Sequence, residues 1–265
     1  MSECFIIASM ARDTHQAVRE ACLWLAEAEE FQSHGSANFR VRGKTFATFV
    51  VNHHGDGRVA LWLTAPPGSQ ELHVRAEPKH YFVPPYVGPK GWLGVVLDRG
   101  IAWDQVLKLI REGYEKVAPP GLRARIGKTP KLKAPAKALS ASQIDPFKSA
   151  RARTVVAKLR KLCLRFPEAG EGSQFGHPTW VAGKKTFAIA RYAGARLTLC
   201  FWVGVDQQGL LTADPRYEIP AYFGHNGWIA LDVEEDCDWR EIASLSLQSY
   251  RHFALKRMLA KLQAA

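Results

Sequence analysis

The chain has 265 residues and a formal net charge of +11, with 47% hydrophobic and 23% charged residues. These are ordinary globular proportions, so they exclude a generally disordered chain. No apolar run approaches the roughly 18 residues of a membrane span. Five cysteines without a Cys-x-x-Cys spacing argue against a disulfide framework or a zinc site. The N-terminus lacks the pattern of a signal peptide, so we expect a cytoplasmic protein whose positive charge favours a polyanionic partner such as DNA, and no membrane.

The first part of the chain predicts a helix, then antiparallel strands, then a second helix. Asp13 and Gln16 have the spacing of a capping box, and apolar residues follow at helical intervals. Segments 46–51 and 59–63 flank a turn-rich stretch, which predicts a β-hairpin. The final helix is predicted to begin near Trp103. This order is typical of an α+β domain with its helices on one face of a sheet.

The second part of the chain repeats the first. The motif Pro-x-Tyr-x-Gly-x-x-Gly-Trp occurs at 84–92 and again at 220–228. Other aligned pairs are Cys22/Cys163, Glu27/Glu168, Lys44/Lys185, Trp62/Trp202, Gln70/Gln207, Glu77/Asp214, Trp103/Trp239, Tyr114/Tyr250 and Ala118/Ala254. In the second copy, Asp214 and Pro215 predict the start of a short helical turn. We therefore predict two tandem domains of one α+β fold, residues 1–118 and 146–265, each a helix, an antiparallel sheet and a helix.

Residues 119–145 form a predicted linker. The stretch holds four prolines with lysine and alanine between them and shows no apolar periodicity, so we expect it to be extended and solvated. Residues 1–118 are neutral, 119–150 carry a net charge of +6 and 151–265 a net charge of +5. The basic stretch is typical either of a solubilising spacer or of a nucleic-acid-binding arm.

Three motifs together resemble the MmcQ/YjbR family. They are the predicted strand 40–47, the Pro-x-Tyr-x-Gly-x-x-Gly-Trp loop and the closing helix with its Trp and Tyr, and the second copy matches at 175–178, 183–185 and 222–228. The resemblance implies a frataxin-like (CyaY-like) α+β fold with a "double-wing" arrangement. It also implies a DNA-binding role. Typical members have one domain, whereas this chain holds a tandem duplication.

The residues shared by the two copies do not predict an enzyme. They are mostly aromatic residues, glycine, proline and alanine, and no histidine has a histidine partner in the other copy. A catalytic base used by both copies would be expected in both. The acidic run 234–238 precedes a predicted helix and is interpreted as a solvated turn. We predict no catalytic residues, no cofactor and no metal.

Basic residues of the second copy are the candidates for nucleic-acid contact. Lys158, Lys161 and Arg165 are spaced to form one stripe on a predicted helix that contains no acid. Lys44 and Lys185 precede the first predicted strand of each copy, where a solvated strand end is the alternative. His225 and Asn226 lie at the tip of a Gly-x-x-Gly loop, where a plain tight turn is the alternative.

The full candidate set is Lys44, Arg151, Lys158, Lys161, Arg165, Lys184, Lys185, His225, Asn226, Lys256 and Arg257. It predicts a non-enzymatic DNA-binding protein that contacts phosphates mainly through the second domain and the linker. The alternative is a protein-interaction or small-anion-binding module with no nucleic-acid role.

Overall fold

The computed structural model describes residues 13–33, 35–128, 132–235 and 237–264. The predictions about the N-terminal dozen residues, Pro130, Lys131 and Asp236 lie outside the described residues. The main division between two compact units falls between Ile144 and Asp145.

The first unit contains one six-stranded antiparallel sheet with the order β1-β2-β3-β4-β6-β5. Its elements are α1 (Thr14–Leu23), β1 (Ala28–Ser33), β2 (Ser36–Val41), β3 (Lys44–Val51), β4 (Val59–Thr64), α2 (Ser69–Ala76), β5 (Tyr81–Phe82), β6 (Trp92–Val96), α3 (Trp103–Val117), α4 (Pro120–Arg123) and α5 (Ala141–Ile144). The predicted capping box of Asp13 and Gln16 begins α1, and the predicted hairpin is β3–β4.

The second unit repeats this topology, with the sheet order β7-β8-β9-β10-β12-β11. Its elements are α6 (Ala150–Cys163), β7 (Ala169–Gln174), β8 (His177–Ala182), β9 (Lys185–Ala193), β10 (Arg196–Trp202), α7 (Val205–Leu211), β11 (Tyr217–Glu218), β12 (Trp228–Asp232), α8 (Trp239–Phe253) and α9 (Lys256–Gln263). The predicted fold class, two tandem α+β domains, is confirmed.

Each unit encloses its own core between one sheet face and the two long helices. In the first unit, Phe46 of β3 and Tyr114 of α3 are completely buried and meet edge to face. Phe187 and Tyr250 repeat this contact in the second unit. The alternation of inward and outward residues along the strands thus places one apolar face against the helices.

Two predictions about the start of the third strand are wrong. The segment 40–47 is not one strand: Arg42 and Gly43, both with positive φ, form the turn between β2 and β3. Lys44 and Lys185 therefore begin the third strand of their sheets rather than precede the first. The predicted turn at Asp214 is present but does not continue into a helix: the Asp214 carboxylate accepts from the backbone nitrogen of Arg216 at 2.9 Å, as an N-cap does, and the Asp214 backbone oxygen accepts from the nitrogen of Tyr217 at 3.0 Å.

The segment after α3 does not behave as a solvated spacer. Leu122 in α4 is buried in the first core, and Ile126, Leu132, Leu139 and Ile144 pack against that core. Met258 in α9 is buried at the corresponding place in the second unit. The repeat thus continues beyond Ala118 and Ala254, and a tail that follows the last long helix is part of each unit.

This tail changes how the positive charge is divided. Residues 1–144 contain 19 basic and 13 acidic residues, and residues 145–265 contain 17 and 12. The net charges are therefore +6 and +5. Both units are basic, because most of the charges of the predicted linker lie on the first unit.

Candidate nucleic-acid interface

The Gly-x-x-Gly loop is a 3-10 turn that precedes the last long strand of each sheet, at Gly88–Lys90 and Gly224–Asn226. A Cβ on Gly224 would lie 2.4 Å from Cγ2 of Ile219, and Gly227 has a φ of +87°. Packing and backbone geometry therefore account for both glycines. The side chains of His225 and Asn226 remain exposed at the tip of the turn.

A glutamine anchors this loop in each unit. Nε2 of Gln208 donates to the backbone oxygens of Gly224 and Trp228, both at 2.6 Å. Gln70 donates in the same way to Gly88 and Trp92. The residue equivalent to Gln70 is therefore Gln208, and the sequence pairing of Gln70 with Gln207 is wrong by one position.

An aromatic contact holds the end of α8 against the loop of the second unit. The ring of Trp202 stacks on His252 with centroids 3.4 Å apart and an interplanar angle of 12°. Nε1 of Trp202 donates to the backbone oxygen of Asn226 at 2.9 Å. The Gly-x-x-Gly turn and the end of α8 therefore lie at the same end of the sheet.

The β8–β9 turn and the start of α9 lie at this same end of the sheet. A Cβ on Gly183 would lie 3.5 Å from Cδ1 of Leu255, so the turn carrying Lys184 lies against the α8–α9 junction. Arg257 and Lys261 of α9 in turn reach Glu168, in the connection between α6 and β7, at 3.0 and 2.8 Å. Three chain segments thus converge at this end of the domain.

We call the basic residues of these segments the basic end. Its members are Lys161, Arg165, Lys184, Lys185, Lys256, Arg257 and Lys261. Glu168 is the acid that faces them: its hydrogen bonds with Arg257 and then Lys261 lower the pKa of its carboxyl to about 2. Within the described ranges, the other five members are exposed and form no ion pair. The basic end therefore presents unneutralised positive charge to solvent.

The YjbR family model matches residues 23–116 and 164–252, more than two thirds of the chain. This chain belongs to the YjbR family. The two matched segments confirm the tandem duplication. Among solved structures, a crystal structure of a Deinococcus radiodurans protein with the domain DUF419 is 19% identical, with a TM-score of 0.37. That match covers 48% of this chain and 96% of the other. The search of curated proteins finds no match.

Two predicted contact residues of the second YjbR domain lie away from its basic end. The guanidinium of Arg151 donates to the backbone oxygen of Val233 at 2.7 Å and also to that of Glu235. It therefore ties α6 to the loop that follows β12. Nζ of Lys158 lies 5.3 Å from the ring centroid of Trp239, at the start of α8. The predicted stripe on α6 is therefore not uniform, since Lys161 and Arg165 are exposed at and just beyond the C-terminal turn of α6 while Lys158 packs on an aromatic ring. Lys44 is exposed in the first YjbR domain.

Other titratable groups of the YjbR domains are used in the fold. Burial raises the pKa of the Cys163 thiol well above its usual range and that of Cys200 to about 12, so both stay protonated. In the acidic run, Glu234 accepts from the backbone nitrogen of Leu197 and Asp238 caps α8. Across the described part of the chain, no group of three His, Cys, Asp or Glu residues is placed to hold a metal ion. Nor does any helix there have the length and apolarity to cross a membrane.

The sequence interpretation overlooked one exposed residue of the shared motif. Tyr222 is 84% exposed and Tyr86 is 67% exposed, and both have positive φ. They are equivalent residues of the two YjbR domains. The signal was present in the repeat, but aromatic residues shared by the copies were interpreted together as core.

Proposed function

We propose that this protein binds nucleic acid without acting as an enzyme, and that the basic end of the second domain holds the phosphates. The observation that carries the proposal is the convergence of three separate chain segments on one exposed, cationic surface. Its unpaired members lie at the end of α6, in the β8–β9 turn and at the start of α9. Charge brought together by tertiary structure favours a polyanion more strongly than charge scattered over a surface.

The chemistry of these side chains favours contact with the backbone over reading of base sequence. Lysine carries a compact charge, whereas arginine presents the flat fork that pairs with a guanine edge. Several arginines of the second domain are bound to carboxylates within it, including Arg160 with Glu171, Arg196 with Glu218 and Arg216 with Glu241. Lys184, Lys185 and Lys256 remain available. We therefore expect salt-dependent binding with little sequence preference.

Fluorescence anisotropy with a labelled oligonucleotide tests the proposal on the full chain. The affinity for a duplex should fall with salt, and the triple variant Lys184→Ala, Lys185→Ala, Lys256→Ala should flatten the log–log salt slope by up to about 2.7, since each lost contact with a duplex phosphate removes about 0.9. The control is the triple variant Lys79→Ala, Arg99→Ala, Lys108→Ala, which removes the same charge from exposed basic residues of the first domain outside its Gly-x-x-Gly loop. Equal losses in both variants, or no binding by the unsubstituted protein at 50 mM salt, would contradict the proposal.

A further inference from the structure

We infer that Tyr222, and Tyr86 at the equivalent place in the first domain, stack on unpaired bases of a single-stranded nucleic acid. The inference rests on the proposed function and narrows it. The basic end would hold phosphates, while the tyrosine would take the face of a base. Stacking of this kind favours single strands over duplexes, because only the bases of a single strand have free faces.

Exposure sets these two tyrosines apart from the other aromatic residues that the copies share. Tyr114 and Tyr250 are completely buried, and their hydroxyls donate to backbone oxygens at 2.7 Å. Trp62 is buried in its sheet. Tyr222, by contrast, is 84% exposed and has no ring contact or hydrogen bond to its side chain within the described residues. The aromatic ring of Tyr222 thus faces solvent and does not contribute to packing of the domain.

The backbone adds a second, independent observation. Tyr222 has a φ of 73° and Tyr86 a φ of 63°, in the left-handed region that side chains with a Cβ rarely occupy. At Tyr86, the nitrogen of Val87 donates to the oxygen of Pro85 at 2.7 Å, which is the hydrogen bond of a γ-turn. Glycine would adopt this conformation without strain. Both copies nevertheless carry tyrosine, which the turn conformation itself does not require, and strained backbone of this kind concentrates at functional sites.

The surroundings of Tyr222 indicate which ligand suits the ring. It lies two residues before Gly224, at the entrance to the turn that exposes His225. Trp202 and His252 tie that turn to the end of α8, and Leu255, just beyond, packs on the turn carrying Lys184. The tyrosine and the basic end therefore belong to the same end of the domain. A flexible polyanion with flat, stackable groups matches both features, since a single strand supplies phosphates and bases together.

The experiment compares strands that differ only in their bases. The full-length protein is titrated by anisotropy with a labelled oligo-dT, with an abasic strand of the same length and with a duplex. Tyr222→Ala should weaken binding to oligo-dT by about 5- to 150-fold, the effect of losing one stacked base. It should leave binding to the abasic strand and to the duplex unchanged. Tyr222→Trp should restore oligo-dT binding, and its indole fluorescence should be quenched by the bases.

Two controls separate stacking from other effects. Leu210→Ala removes another exposed apolar side chain, 77% exposed in the same domain, and should bind all three ligands normally. Tyr222→Gly should melt within a few degrees of the unsubstituted protein, because an exposed ring in a strained backbone contributes little stability.

Three results would overturn the inference. Tyr222→Ala could bind oligo-dT normally while the lysine triple variant loses affinity, in which case phosphate binding stands and stacking does not. It could lose affinity equally for oligo-dT and the abasic strand, which would assign the tyrosine a role unrelated to bases. Binding of none of the ligands by the unsubstituted protein would remove the proposed function itself. In that last case, a pull-down in which Tyr222→Ala releases a protein partner would instead assign the exposed ring to protein docking.

Discussion

The two domains share several internal hydrogen bonds and differ in where their positive charge lies. In each, a tyrosine of the last long helix donates to the connection after the first helix, Tyr114 to Ala26 and Tyr250 to Pro167. In each, a glutamine holds the Gly-x-x-Gly loop. Outside these ties the domains diverge: His252 stacks on Trp202, whereas Lys116 of the first domain donates to the backbone oxygen of Ala65.

This difference shows which residues of the repeat are constrained by the fold. A buried donor that loses its acceptor costs free energy, so the internal ties restrict the residues at both ends of the contact. A solvated charge has no such restriction. The positive charge of the first domain has accumulated largely on the tail after α3, while that of the second includes the basic end. Similarity in fold therefore does not predict equal binding by the two domains.

The largest expected effect on stability comes from removing the glutamine contact that the two domains share. Gln208→Ala should lower the unfolding free energy of the second domain by about 2–4 kcal/mol, because two backbone oxygens lose their donor in a buried place. Gln70→Ala should destabilise the first domain by less, since Gln70 is only half-buried. Denaturant unfolding, monitored by hydrogen exchange at residues of each domain, would assign each loss of stability to its domain.

The neighbouring residue provides the control. Gln207→Ala removes a side chain that accepts a hydrogen bond from Gln248 but does not contact the loop oxygens. Its effect should stay below about 1 kcal/mol. A Gln207 variant as unstable as the Gln208 variant would show that the loop contact is not the source of the stability.

A smaller effect tests whether the tyrosine ties are equivalent. Tyr250→Phe and Tyr114→Phe each remove one hydroxyl that donates at 2.7 Å. Each should cost its own domain about 1 kcal/mol, the typical net value of one hydrogen bond. Thermal unfolding of the two variants side by side measures this. A loss confined to one variant would break the symmetry between the domains.

The smallest expected effect concerns the ion pairs that Glu168 forms at the basic end of the second domain. The pKa of the Glu168 carboxyl is lowered to about 2 by Arg257 and then Lys261. Unfolding returns the pKa towards its ordinary value of 4.5, so the ionised form stabilises the fold above that pH. That contribution should disappear as the pH falls from about 4.5 towards 2. In Glu168→Gln, the melting temperature of the second domain should lose this part of its pH dependence; an unaltered pH profile would contradict the assignment.

Features set by local sequence could be predicted. The capping box at Asp13, the β3–β4 hairpin and the long helices beginning at Trp103 and Trp239 depend on short-range spacing, and the structure contains all of them. The short helices α2 and α7 could not be predicted in this way. Each follows a glycine at the N-cap that makes no side-chain cap, so the usual signal for a helix start is missing.

The candidate site shows the same limit. The clustering of Lys184, Lys185, Lys256 and Arg257 follows from contacts between segments far apart in the chain. The sequence therefore identifies these residues but does not show that they lie close together in the folded domain. The contact that Arg151 makes within the fold could not be predicted, because its acceptors are backbone oxygens beyond residue 230, which carry no sequence signature. The tail after Ala118 could have been recognised, because Leu122 and Arg125 align with Met258 and Lys261. The prolines concealed this similarity.

The buried Leu122 also determines where the chain can be divided. Arg125 binds Glu27 at 3.1 Å in the first domain, just as Lys261 binds Glu168 in the second. A cut after Ala118 would therefore remove both a core side chain and one partner of an ion pair. The smallest first domain expected to fold independently extends through the proline-rich tail, and a truncation that removed α9 would damage the second domain for the same reason.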